Sequence, residues 1–383
     1  MKKIVIALSL AAAFLMAACS PKSGNTTKVV GQFAENAPET VRLVRGYYDG
    51  LFDEDHFVSF FDTTVAVVNG RFEVEIPKCL TTMTDLQVEN GFVGFISDGS
   101  TITIDPEART AVSSDEDGVH SRYMDFARRW DDYQTRMAGF GSDVEAMEKY
   151  RNENLGTLLD YTKEAARNNP DNFLGLQALE MFYFSTMGEQ DTDAEEMLVL
   201  LDGLSDEIKT DPMSSVMFTE LVSIYSGLAN TKTGQPFVDF TVEHVLDENP
   251  DGTLVIEQRK LSDYVGKGKY ILVDFWSPWC PPCKAELPNI VNVYNKYHGD
   301  NFDILSVAVW EESRGMNWKD TRDTAVVYGI TWNQMNNGHQ EPASLYGIEA
   351  IPHVILFGPD GTILKRDLRS EQIGEAVKEA LGL

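Results

Sequence analysis

Cys280 and Cys283 stand three positions apart in the stretch Tyr270 to Pro288, YILVDFWSPWCPPCKAELP. Two thiols at that spacing can close a small disulfide ring and exchange it with another disulfide. The residues between them, Pro281 and Pro282, carry no backbone N–H, so two donors that could stabilise a thiolate are missing. That leaves Cys280 less acidic and tilts the pair toward giving electrons. A Cys-x-x-Cys pair can also be half of a zinc site, but zinc needs two further ligands. No second pair lies in the C-terminal region and its histidines are scattered, so no metal is expected. Neither a Gly-rich phosphate loop nor a Ser-His-Asp pattern stands out.

The elements around the pair are legible. Tyr270 to Trp276 is a short apolar run of β-branched and aromatic residues, which predicts a strand covered on both faces. From Lys284 onward Leu287, Ile290, Val291, Tyr294 and Tyr297 recur on one side at helical spacing. The dithiol therefore falls at a strand-to-helix turn. Cys280 belongs at the amino end of the helix, where unpaired N–H groups and the helix dipole favour negative charge. At an exposed position there it is the attacking residue. Cys283, one turn further and less exposed, is placed to resolve a mixed disulfide. The following elements are expected at 303–309 (strand), 316–328 (helix), 354–358 and 363–367 (strands, joined by the turn Pro359-Asp360-Gly361) and 370–381 (helix).

The chain has 383 residues, enough for two or three domains. Its formal net charge of −28 repels phosphate backbones and anionic membrane surfaces, so no nucleic-acid partner is expected. Met1-Lys2-Lys3, the apolar run Ile4 to Met16 and Ala17-Ala18-Cys19 form a basic and then hydrophobic leader too short to span a bilayer. Small residues before a cysteine resemble the lipobox of bacterial lipoproteins, with Met16 where Leu is usual. That resemblance implies a signal peptide over 1–18, lipid attachment at Cys19 and a polar tether over 19–27. The alternative is an ordinary secretory signal that contains a cysteine. Either way the body is exported, where disulfides persist.

Residues 28–108 read as short strands. Val65 to Val68, Asn69-Gly70 and Arg71 to Ile76 predict a hairpin with a two-residue turn, one face buried and one wet. Thr101 to Ile104 ends this block, and Thr110 to Gly118 reads as a polar linker. Residues 119–230 read as helices, with Tyr123, Phe126 and Trp130 on one face. Asp171 is a candidate cap, and the nearly all-apolar run Phe173 to Met187 a candidate bundle centre. Its aromatics stand at core spacing. Cys79 fits a small buried hydrophobe, with a redox role as the alternative.

Two resemblances complete the reading. The run FDTTVAVVNGRFEVEIP with SDGSTITID is similar to the small β-domain of unknown function that precedes thioredoxin domains in envelope lipoproteins. GQPFVDFTVEHV, followed by LSDYVGKGKYILVDFWSPWCPPC, resembles the TlpA/ResA-like branch of the thioredoxin superfamily over residues 234–383. The fold class expected is therefore multidomain: an antiparallel β-domain, a central helical region and a C-terminal α/β thioredoxin fold. The resemblance implies a thiol:disulfide oxidoreductase, with Cys280 as nucleophile and Cys283 as resolving cysteine. Asp274 matches a buried aspartate that takes the proton of Cys283, and Glu286 a second acid–base group, or else an ordinary helix-surface glutamate. It also implies that Pro288 kinks the helix, that Pro352 is cis, and that Ile351 and Trp279 contact substrate. His353 reads as structural. No bound cofactor is implied, since the dithiol is the redox centre. The partners implied are disulfide-containing envelope proteins and an upstream thiol electron donor. The place implied is the cell envelope, lipid-anchored and facing the periplasm. A disulfide oxidase or isomerase, a partner-binding lipoprotein whose thioredoxin domain only docks, and a peroxide reductase are the alternatives.

Overall fold

The structure, a computed structural model, describes residues 26–48, 57–88, 91–187 and 193–383. The leader, Cys19 and nearly all of the tether lie outside the described residues. The chain divides into two compact units, one reaching to residue 185 and taking in 199–221, the other made of 186–198 and 222–383. Among the described residues no helix is long and apolar enough to cross a membrane.

The first unit opens with strands β1 (Thr26–Gln32), β2 (Thr40–Tyr48), β3 (Phe57–Ala66), β4 (Arg71–Pro77), β5 (Cys79–Val88), β6 (Gly91–Ser97), β7 (Thr101–Asp105) and β8 (Thr110–Ser113). They form two four-stranded sheets, ordered β4-β1-β7-β8 and β3-β2-β5-β6. Alternation decides which side chains turn inward: Val29, Leu43, Phe72, Ile76, Leu86, Phe95 and Ile102 share one buried cluster.

The expected hairpin is not one. Asn69 (φ 53°) and Gly70 (φ 76°) make the two-residue turn, and Val68 and Arg71 exchange both backbone hydrogen bonds at 2.8 and 3.0 Å. The arms then part. β3 pairs with β2 from Thr40↔Ala66 to Tyr48↔Phe57, while β4 pairs with β1 from Gln32↔Arg71 to Thr26↔Pro77. The turn thus joins two sheets, because β4 buries Phe72 and Ile76 in the shared core through pairing with β1. The expected linker begins instead with β8, whose Ala111 and Ser113 are buried in alternation.

Six helices follow: α1 (Val119–Gly139), α2 (Val144–Asn168), α3 (Phe173–Thr186), α4 (Ala194–Asp202), α5 (Asp206–Thr210) and α6 (Ser214–Asn230). α1 buries Phe126, Trp130 and Tyr133 along one stripe, and His120 in its first turn. Asn172, rather than Asp171, holds the start of α3, its Oδ1 accepting from the Leu174 N–H at 3.2 Å.

The second unit continues with the antiparallel hairpin β9 (Thr241–Glu248) and β10 (Leu254–Lys260). A five-stranded sheet is ordered β13-β12-β11-β14-β15, from β11 (Tyr270–Trp276), β12 (Phe302–Ala308), β13 (Asn333–Met335), β14 (His353–Phe357) and β15 (Ile363–Lys365). Helix α7 (Pro281–Tyr297) makes the crossover from β11 to its parallel neighbour β12. Helices α8 (Trp318–Tyr328), α9 (Glu341–Leu345) and α10 (Glu371–Ala380) complete it. Both sheet faces are covered, as a parallel crossover requires. Val273, Phe275, Val307, Ile355 and Phe357 pack with Phe240 and Tyr346 on one side. Leu272, Ile304, Val354 and Leu356 pack with Ile290 and Val293 of α7 and Ile373 and Val377 of α10 on the other.

Candidate active site

β11 runs through the middle of its sheet and delivers the chain to the turn at Ser277, whose carbonyl accepts from the Cys280 N–H at 3.1 Å. Cys280 is the N-cap of α7, in extended conformation, and Pro281 and Pro282 fill the first two helical positions. Proline is favoured there, where its missing N–H costs the helix nothing. The first available donor is the Cys283 N–H, which meets Cys280 Sγ at 3.1 Å. The two cysteines form a disulfide, with Cα atoms 5.3 Å apart.

The pair is covered. Cys280 is 2% exposed and Cys283 1%, so the expected exposure of Cys280 is not found in the oxidised chain. Trp276 and Leu287 pack against both sulfurs' residues, with Trp279 and Ile351 at the margin. The Ile351 carbonyl oxygen lies 3.5 Å from Cys280 Sγ, and the Ile351-Pro352 peptide is cis. Trp279 is half-buried; its indole N–H donates to the Trp310 carbonyl at 2.7 Å. Trp310 itself sits in left-handed conformation (φ 57°) at the end of the loop leaving β12.

Asp274 occupies β11 opposite Ser306 of β12 and Val354 of β14. It is 1% exposed. Trp332 donates its indole N–H to Ser306 Oγ at 2.9 Å, and the Ser306 hydroxyl points to Asp274 Oδ2 at 3.5 Å. Asp274 Oδ1 has no partner among the described residues. Burial pushes its carboxyl up to about 7, and the negative charge of Glu286 pushes the same way. A carboxyl so placed is held near the point where it can take or give a proton at neutral pH.

Glu286, on α7 one turn after Cys283, is not a free surface glutamate. Its Oε1 accepts from Asn289 Nδ2 at 2.7 Å, and its two oxygens share the Ser370 N–H at 3.1 and 3.2 Å. His353 is 9% exposed, its Nδ1 3.5 Å from Asp367 Oδ1. Burial, then the cations Arg366 and Arg369, hold it well below the usual histidine range, so its ring is neutral. Pro288 lies inside α7. Cys79, in the first unit, is a buried thiol whose N–H donates to Ser97 Oγ at 3.1 Å.

Residues 233–366 match the AhpC/TSA family. Over 148 residues the chain is 24% identical to the thiol-disulfide oxidoreductase ResA of Bacillus subtilis, covering 39% of this chain and 74% of that protein. The ResA of Bacillus anthracis matches at 28% over 131 residues, 33% of this chain and 67% of that one. The C-terminal part is an AhpC/TSA thioredoxin-like domain. It is homologous to the ResA/TlpA-like thiol:disulfide oxidoreductases and carries its Cys-x-x-Cys pair as Cys280–Cys283. Among solved structures, the thioredoxin domain of a thiol-disulfide oxidoreductase from Bacteroides vulgatus aligns at 26% identity, over 38% of this chain and 96% of that one, with a TM-score of 0.31.

Within this thioredoxin-like domain the sequence reading misses the groups that hold the site residues. Ser306 and Trp332 reach Asp274, Ser370 and Asn289 fix Glu286, and the Trp310 carbonyl holds Trp279. Two of them left a trace. Ser306 is a hydroxyl inside the otherwise apolar run ILSVA. Asn289, three residues after Glu286 on the same helix, stands at a spacing where side chains meet. Trp332, Ser370 and Trp310 act through backbone groups or from remote positions, which no local pattern marks.

Proposed function

We propose that the chain is an exported protein-disulfide reductase, tethered to a membrane by lipid at Cys19 and facing the periplasm. The observation that carries the reading is the N-cap position of Cys280, its sulfur met by the Cys283 N–H and flanked by the Ile351 carbonyl. The Cys280 thiolate attacks one sulfur of a disulfide in another envelope protein. A mixed disulfide forms and the other sulfur leaves as a thiolate. Cys283 loses its proton to Asp274, with Glu286 as the second acid–base group, and attacks Cys280 Sγ. The Cys280–Cys283 bond closes and the client leaves as a dithiol, two electrons richer. An upstream thiol donor then reduces the pair again. Ile351 and Pro352 present the backbone against which the client lies, and Trp279 is the aromatic contact beside the nucleophile. The paired prolines support the reducing direction, since a less acidic Cys280 makes a poorer leaving group.

The test is reduction of insulin by dithiothreitol with and without the protein. The parent chain accelerates it and Cys280→Ser does not. Equilibration of Cys280–Cys283 with a glutathione couple checks the direction. A potential near the strongly oxidising end, about −120 mV, would make the chain an oxidase and defeat the reductase reading. Cys283→Ser traps clients as mixed disulfides and identifies them.

A further inference from the structure

Within the second unit the last turns of α6 cross the segment Ser344 to Gly347 at backbone contact. A Cβ on Gly227 would lie 2.4 Å from the Gly347 nitrogen and 2.6 Å from the Ser344 oxygen. A Cβ on Gly347 would lie 2.8 Å from the Leu228 nitrogen and 2.9 Å from the Ile224 oxygen, and Gly347 also has φ +59°. Both partners are backbone atoms, so neither can move aside as a flexible side chain would.

Hydrogen bonds fasten the crossing. Thr231, wholly buried, donates its hydroxyl to the Gly227 carbonyl at 2.6 Å. Arg366 donates through Nη1 to the Thr231 carbonyl at 2.9 Å and the Thr231 hydroxyl at 2.7 Å, and through Nη2 to the Tyr346 carbonyl at 2.7 Å. Tyr346 is pinned at its other end as well. Its hydroxyl receives the Val238 N–H at 3.1 Å and donates to the Val238 carbonyl at 2.9 Å, while its ring packs with Phe240 and Phe275. The chain leaving this anchor passes through buried Ile348, whose N–H reaches the Ala343 carbonyl at 2.8 Å. It then arrives at Ile351, whose carbonyl faces Cys280 Sγ. Neither α6 nor Thr231 falls inside the family match, which starts at residue 233.

We infer that Gly227, Thr231 and Arg366 are positioning residues for the Ile351-Pro352 segment, so that α6 sets how a polypeptide disulfide docks beside Cys280. The inference rests on the reading above that Ile351 presents its backbone to the client. A polypeptide client must fit that backbone, whereas a small aromatic disulfide needs only the sulfur. Loosening the crossing therefore separates the two substrates, which a loss of overall folding would not do.

The test uses the full-length chain, turning over insulin with dithiothreitol and, after reduction and removal of dithiothreitol, giving the two electrons of Cys280 and Cys283 to Ellman's reagent in a single turnover. Thr231→Val and Arg366→Lys are expected to raise KM for insulin by ~10-fold to ~100-fold, the cost of misplacing a docking surface by about an ångström, with kcat and the rate on Ellman's reagent unchanged. Thr231→Ser keeps the hydroxyl and restores the parent KM. Equal losses on both substrates, or parent-like insulin kinetics in a folded Thr231→Val chain, overturn the positioning role alone. Should Thr231→Val fail to fold, Arg366→Lys decides by the same two readouts. A parent chain inactive on both substrates overturns the reductase reading and this one with it.

Discussion

At the scale of single residues, Asp274 has the most consequence. A carboxyl that is 1% exposed, with one oxygen unpartnered, favours its neutral form. Its pKa, pushed up to about 7 by burial and then by Glu286, exceeds the unfolded value of about 3.9. The folded chain therefore binds the extra proton between those limits. That contribution to stability is fully present below pH ~4 and is lost as pH rises toward 7, at up to ~1.4 kcal/mol per pH unit. Glu349, also raised by burial to about 7, and Asp85, to about 6, act in the same sense, while the buried, depressed His244 and His353 act in the opposite one. The comparison that isolates Asp274 is thus the difference in melting temperature between the parent and Asp274→Asn, followed from pH 4.5 to 8. It should shift against the parent as pH rises toward 7 and level off above it; a difference independent of pH would refute the assignment. Activity carries the other half of the prediction. Insulin reduction by the parent should rise through pH ~7 as Asp274 becomes a base, a limb that Asp274→Asn loses. Glu286→Gln removes a negative neighbour, so the midpoint of that limb should move to lower pH in the rate profile.

At the scale of elements, the turn Asn69-Gly70 does more than reverse a strand, because its arms enter different sheets. Gly70 has φ 76°, and a Cβ there would stand 3.2 Å from the Phe33 carbonyl oxygen. Gly70→Ala should destabilise the first unit by about 1 kcal/mol or more, read from the denaturant midpoint of its far-ultraviolet signal. An unchanged midpoint would mean that the turn relaxes freely. The same place shows what sequence reading can reach. Asn-Gly and the alternation of Phe72, Val74 and Ile76 are local signals, and the turn and the strand both formed. Which strand β4 pairs with depends on β1, some forty residues upstream, and no local pattern reports that. The strand–turn–helix at the cysteines was legible for the converse reason. Its apolar run, its two prolines and its helical spacing are all contiguous, and its topology is that of a simple crossover. The covering of Cys280 was not legible, because Ile351 reaches its sulfur from a segment 71 residues further along the chain.

At the scale of the whole molecule, five of the six tryptophans, Trp276, Trp279, Trp310, Trp318 and Trp332, belong to the second unit, and Trp130 to the first. Tryptophan emission therefore reports chiefly on the domain that holds the disulfide. In Gly70→Ala the far-ultraviolet transition should move while the emission transition holds its midpoint; coincident shifts would show the units unfolding as one. The net charge of −28 adds a second global expectation. Self-repulsion is screened as salt rises, with a Debye length of about 8 Å at 0.15 M. Both midpoints should therefore climb between low and physiological ionic strength, and a fall would point to specific ion pairs as the dominant electrostatic contribution.

The crossing of Gly227 over Gly347 also bears on how such chains exchange parts. A fragment cut at Thr233, where the family match begins, keeps both cysteines and every strand of the five-stranded sheet. It lacks the backbone that Gly347 is shaped to receive. The portable module is therefore longer than the recognisable one, and its seam runs inside α6. If α6 positions the Ile351-Pro352 segment as proposed, a graft that respects the match but not the seam keeps the cysteine pair and loses affinity for polypeptide disulfides.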